Sequence, residues 1–146
     1  MKLYHYTTWL GSILADAGEI ETMNRYGFGE MTMLNDWPKL VFLTSNQDWE
    51  PSVQAYNAEK YHEKCGSCPE VYAQLGIPCW KLEVDVPLGE VCCALDNRLM
   101  THPKWVVMLK DAMALGSDIS RWMVSFDELS IEKAYRWYDG QWRLDI

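Results

Sequence analysis

No stretch of the 146 residues approaches the ~20 consecutive apolar positions that a membrane-spanning helix needs. Nor do the first residues, Met1-Lys2-Leu3-Tyr4, open the long apolar core of a signal peptide. A soluble, cytoplasmic protein is the expectation. Positive charge is also scarce: 13 Lys and Arg stand against 21 Asp and Glu, a formal net charge of −8 and a pI near 4.8. That balance opposes non-specific attraction to phosphate backbones, so a nucleic-acid partner is not expected. A glycine-rich phosphate loop is missing as well. The segment "GFGEM" at 27–31 has neither the third glycine nor the Lys-Ser/Thr such loops use, and its two glycines read instead as a mobile segment over a cleft. The cysteines Cys65, Cys68, Cys79, Cys92 and Cys93 are odd in number, with one adjacent pair. They make a poor secreted disulfide framework and fit reduced thiols better. Internal repeats and low-complexity tracts are absent from the sequence.

What is present fits one compact domain over 1–146, since a chain of this length buries roughly 68–70% of its unfolded surface in a single core. Hydrophobic residues at 49% and charged residues at 23% are ordinary globular values, whereas eight tryptophans imply stacked aromatic surfaces. Residues 2–7 read as a strand, and Leu10, Ile13 and Leu14 recur at helical spacing before Gly18. The segment 21–39 has no period and reads as a long loop. Residues 39–45 are β-prone and precede a helix expected from about residue 50, with Pro51 in its first turn. "CGSCPEVYAQLGIP" reads as irregular, while residues 79–87 alternate as a strand with one wet face. A short strand near 90–94 precedes a helix in which Trp105, Met108, Leu109 and Ala112 recur up to Gly116. Residues 121–129 alternate again, and the tail reads as a hairpin turning at Asp139-Gly140. The sum is an α+β domain with helices early and strands concentrated late.

Three segments suggest chemistry. "LYHYTT" (3–8) sets a histidine between tyrosines at a strand end; "VFLTSNQDWEP" (41–51) ends a strand in small polar residues; "RWMVSFDEL" (121–129) carries paired carboxylates. With the apolar helix ending "ILADAGEI" (13–20), they resemble the ADP-ribosyltransferase superfamily, in particular small bacterial and phage-type members. The resemblance implies split β-sheets with peripheral helices that clamp NAD. It implies that His5 bonds the adenosine ribose, that the Tyr6 backbone holds the nicotinamide carboxamide and that Thr7 adds a hydroxyl. Ser45, Asn46 and Trp49, with Tyr56 farther on, would wall the nicotinamide. A glutamate is the usual acid on the third segment, where this chain has Asp127 followed by Glu128. Asp127 aligns literally but is one methylene short; Glu128 fits after a one-residue slip, which in a strand would move it to the other face. Glu83 and Glu132 are weaker candidates. Each residue also has a plain reading: His5 as a half-buried strand residue, Trp49 as core, Asp48 and Pro51 as a helix start, and Asp127 as a solvated carboxylate.

The implied activity is transfer of ADP-ribose from NAD to a protein acceptor. The alternative is a non-catalytic acidic module, an inhibitor or anti-defence protein that occupies a partner's basic groove on the same scaffold. A weaker zinc alternative uses His62, Cys65, Cys68 and Cys79, whose spacing suits tetrahedral ligation by one knuckle, against free cysteines or a redox pair. Nothing in the sequence joins His102 to Cys92 or Cys93 as a nucleophile and its base.

Overall fold

The computed structural model describes residues 1–8, 19–20, 40–53, 68–127 and 129–145. They build an α+β fold on an antiparallel sheet of seven strands. These are β1 (Lys2–Thr7), β3 (Val41–Thr44), β4 (Trp80–Asp85), β5 (Cys92–Cys93), β6 (Trp122–Ser125), β8 (Lys133–Tyr138) and β9 (Gln141–Leu144). Their order across the sheet is β5-β6-β3-β1-β4-β8-β9, and a second ribbon pairs β2 (Glu19–Ile20) with β7 (Leu129–Ser130). The helices α1 (Pro69–Gln74), α2 (Asn97–Met100) and α3 (Pro103–Ala114) lie between strands. Strands are therefore spread along the described chain and are not gathered toward its end. The helix expected over 10–18 and the loop over 21–39 fall outside the described residues, which between them include only the strand Glu19–Ile20; of the helix expected from about 50, residues 50–53 are described and form a turn, with the Val53 N–H donating to the Glu50 carbonyl at 3.2 Å.

Local chemistry accounts for the boundaries. α1 forms in a segment that reads as irregular because Pro69 occupies its first turn, where a missing N–H costs nothing, and Glu70 follows at the positive helix end. The helix expected where Trp105, Met108, Leu109 and Ala112 recur is α3, and a separate short helix, α2, precedes it. Asp96 caps α2 by accepting from the Arg98 N–H at 2.9 Å, and Pro103 forces the preceding His102 into an extended conformation (φ −99°, ψ 114°), so the chain restarts as α3. Gly116 ends α3 at φ 100°, a left-handed position, and the Ser117 N–H returns to the Ala112 carbonyl at 3.0 Å. Asp139 and Gly140 have φ of 51° and 74°, the left-handed pair that a two-residue hairpin turn needs to match strand twist.

Alternation divides the side chains between the two sheet faces. One face carries Leu3, Val41, Leu43, Leu82, Val84 and Ala134, buried with Val86 and Leu129. On the other face Phe42, Trp122, Val124 and Cys92 pack under α3, where the Phe42 and Trp105 rings stack at 5.4 Å and the Trp105 indole donates to the Ala94 carbonyl at 2.8 Å. Farther along that same face Tyr4, Tyr6, Trp49, Tyr72 and Cys79 form an aromatic cluster with Trp137 and Trp142.

Pairing is uneven across the sheet. β1 and β4 pair at six register positions and β3 and β6 at four, but β1 meets β3 only where Tyr4 faces Thr44. Beyond that crossing, toward Thr7 and Val41, the ladder parts: the two strands share no further register position.

Candidate functional site

His5 sits in this parting. Its Nδ1 lies 2.8 Å from the Phe42 carbonyl oxygen, and because a carbonyl only accepts, Nδ1 carries the proton. The side chain thus bridges β1 to β3 where ladder bonds have stopped. Burial holds the imidazole below its ordinary pKa, against the bond to Phe42, which favours the protonated form. A neutral ring protonated at Nδ1 leaves the Nε2 lone pair as an acceptor.

Topology sets the neighbours. Val41, at the open end of β3, pairs with Ser125 at the end of β6, and Thr7 pairs with Trp80 at the start of β4. His5 and Thr7 alternate on the face that carries Leu3, and Ser125, opposite Val41, falls on that face too. β6 stops at Ser125, whose hydroxyl accepts from the Asp127 N–H at 3.1 Å and donates to the Asp127 carbonyl at 2.9 Å. The segment expected as one alternating strand over 121–129 is therefore a strand, a side-chain-locked turn and then β7. Asp127 is exposed on that turn, and Glu128 lies outside the described residues. The rule that a one-residue slip inverts the face does not apply here, because a turn has no fixed alternation.

The second segment lies elsewhere. Ser45, Asn46 and Trp49 follow Thr44, which pairs with Trp122 at the far end of β6 from Ser125. Three residues of strand, about 10 Å, separate the two ends. There the side chains serve the fold. Asn46 Oδ1 accepts from the Asp48 N–H at 2.9 Å, its carbonyl accepts from the Tyr6 hydroxyl at 2.7 Å, and the Arg121 Nε donates to Ser45 Oγ at 3.2 Å. Trp49 is 5% exposed, with rings of Tyr6 at 5.5 Å, Tyr72 at 6.1 Å and Trp142 at 6.2 Å. The Tyr6 ring turns into the same cluster on the face away from His5, and burial raises its phenol well above the usual range. Glu50, which sequence reasoning passed over, is the clamp of this region. Its carboxylate accepts from the Ser52 N–H at 2.8 Å, the Ser52 hydroxyl, the Ser117 hydroxyl at 2.6 Å and the Trp122 indole at 2.9 Å.

Glu83 is buried on the aromatic face opposite Tyr4, and its Oε2 has no hydrogen-bond partner among the described residues. Beside it Lys81 donates to the Gln47 carbonyl at 3.0 Å, with its ammonium over the rings of Tyr135 at 4.8 Å and of Tyr4 and Trp142 at 5.4 Å each. Glu132 is exposed, and its N–H donates to the Glu83 carbonyl. Of the other candidates, Tyr56, His62 and Cys65 lie outside the described residues. Cys79 is buried near Cys68, and burial pushes its thiol up to about 12. No group of three or more metal-ligating side chains occurs among the described residues. None of their helices is long and apolar enough to cross a membrane.

No family model matches the chain, and neither a curated protein nor a solved structure matches it. The class defined by the fold is thus an α+β domain with an antiparallel sheet in which β1 and β3 pair at a single register position.

Proposed function

We propose that this chain is an NAD-dependent ADP-ribosyltransferase with a protein acceptor, built on a split-sheet scaffold of the ADP-ribosyltransferase kind. One observation carries the reading: β1 and β3 share a single register position, and beyond it the imidazole of His5, bonded to the Phe42 carbonyl, takes the place of the ladder. A neutral Nε2 acceptor on the central strand fits a ribose hydroxyl as donor. Two further placements support it. Thr7 lies at the mouth of the parting, and the turn bearing Asp127 closes the same end of the sheet one strand away.

On this reading His5 Nε2 accepts from the adenosine ribose, the Tyr6 backbone holds the nicotinamide carboxamide, and the Asp127 carboxylate orients the 2-hydroxyl of the nicotinamide ribose. The N-glycosidic bond breaks with its electron pair leaving on nicotinamide. The carboxylate stabilises the positive charge that develops at C1. The acceptor's nucleophile then bonds C1 and releases its proton. Ser45, Asn46, Trp49 and the Tyr6 ring act as support for the strand ends. The net charge of −8 favours a protein over a nucleic acid as acceptor.

A thermal shift with NAD, followed by nicotinamide release in the presence of lysate proteins, tests this. Saturation at a hundred times Kd stabilises a fold by about 2.7 kcal/mol, an easily read shift. His5→Ala is expected to abolish the shift. Asp127→Asn is expected to keep the shift and lose nicotinamide release; a variant that keeps both moves the carboxylate role to Glu128. No shift at millimolar NAD, with no label transfer, refutes the reading and favours the acidic protein-binding module.

A further inference from the structure

The two sides of the parting differ in what they offer. On the β3 side are Ser125 and the Asp127 turn; on the β4 side a row of register partners runs Thr7, Trp80, Arg136. His5 pairs with Leu82 and Leu82 with Ala134, and Trp80 and Arg136 each stand two residues from those partners, so both point to the His5 face. Trp80 is half-buried against the Leu82 and Val84 cluster, which fixes its ring. The guanidinium carbon of Arg136 lies 5.4 Å from that ring's centre, and the Arg136 side chain is exposed. A guanidinium is planar and can stack a second π-system on the side that faces away from a backing ring.

We infer that Arg136, backed by Trp80, is the seat of the adenine base. This rests on the transferase reading, which fixes the ligand's direction. With the adenosine ribose at His5 and the nicotinamide ribose toward Asp127, the diphosphate between them lies on the β3 side. What remains attached to the His5 end is the base, and it leaves over β4 and β8. Two interstrand spacings, roughly 10 Å, separate the strand of His5 from that of Arg136, a span that the arginine's own length shortens. A neutral aromatic base suits a cation held face-on to a ring.

Titration calorimetry with NAD and with nicotinamide mononucleotide, which lacks the adenosine, separates the subsites. Arg136→Ala is expected to weaken NAD binding about fivefold and to leave the mononucleotide within about twofold. Arg136→Lys keeps the charge but not the plane, and stays weakened for NAD alone. Arg143→Ala, at the exposed position facing Arg136 on β9, binds both ligands as the parent does. Unchanged NAD binding by Arg136→Ala overturns the inference and leaves the transferase reading standing, as does an equal loss for both ligands, which marks a general charge effect. A parent protein that binds neither ligand overturns the transferase reading itself, and this inference with it.

Discussion

Removing the half-buried Glu50 carboxylate, at the end of β3 away from His5, is expected to cost this fold several kcal/mol. Its two oxygens gather four donors from three separate stretches of chain: Ser52, Ser117 beyond α3, and Trp122 at the start of β6. Two of those donors cannot turn to water, because Trp122 is 5% and Ser117 8% exposed. Glu50→Ala leaves both unpaired, and each stranded buried donor costs about 1–3 kcal/mol, so about 2–6 kcal/mol is expected. Against a total of about 5–15 kcal/mol for a domain, that is a large share. At about 2–4 °C per kcal/mol for a chain of this size, the midpoint of thermal unfolding falls by roughly 4–24 °C. Urea unfolding reads the loss as a lower transition midpoint at an unchanged slope. Ser117→Ala in the Glu50→Ala background should cost much less than in the parent, since the shared bond is already gone. A loss below about 1 kcal/mol for Glu50→Ala, or full additivity of the pair, refutes the clamp.

Two further outcomes follow from the same physical reasoning. Burial depresses the His5 pKa below its unfolded value of about 6.5, so the unfolded chain takes up the proton first. The stabilisation is complete above about pH 6.5 and is lost as pH falls through that value; urea midpoints for His5→Gln should lack this slope, and an identical slope in both proteins disproves it. Glu83→Leu removes a buried carboxylate whose Oε2 lacks a partner among the described residues, and stability should rise by about 1–3 kcal/mol; a fall of that size in denaturant unfolding shows that the carboxylate is satisfied in solution.

Local signals in the sequence determined those elements that depend on near neighbours. The alternation of Trp80, Leu82 and Val84 gives β4 with its two faces, and Asp139-Gly140 supplies the left-handed turn between β8 and β9. The recurrence of Trp105, Leu109 and Ala112 marks the buried stripe of α3. Where competing local effects had to be weighed, the sequence was less legible: Pro103 separates α3 from the short helix before it, and the Ser125 hydroxyl ends β6 before the two carboxylates. The sequence presents His5, Trp49 and Asp127 as parts of one site, with a core reading beside it for Trp49. Only strand pairing separated them. Antiparallel register carries Ser45 and Trp49 to one end of β3 and brings Thr7, Ser125 and the Asp127 turn to the other, while alternation turns Tyr6 away from His5. The roles of Glu50, Glu83 and Arg136 depend on residues 67, 79 and 56 positions away in the chain, Ser117, Tyr4 and Trp80. No periodicity or motif encodes such distances, because a carboxylate, a hydroxyl or an aromatic ring has the same local preferences whichever partner the fold brings to it.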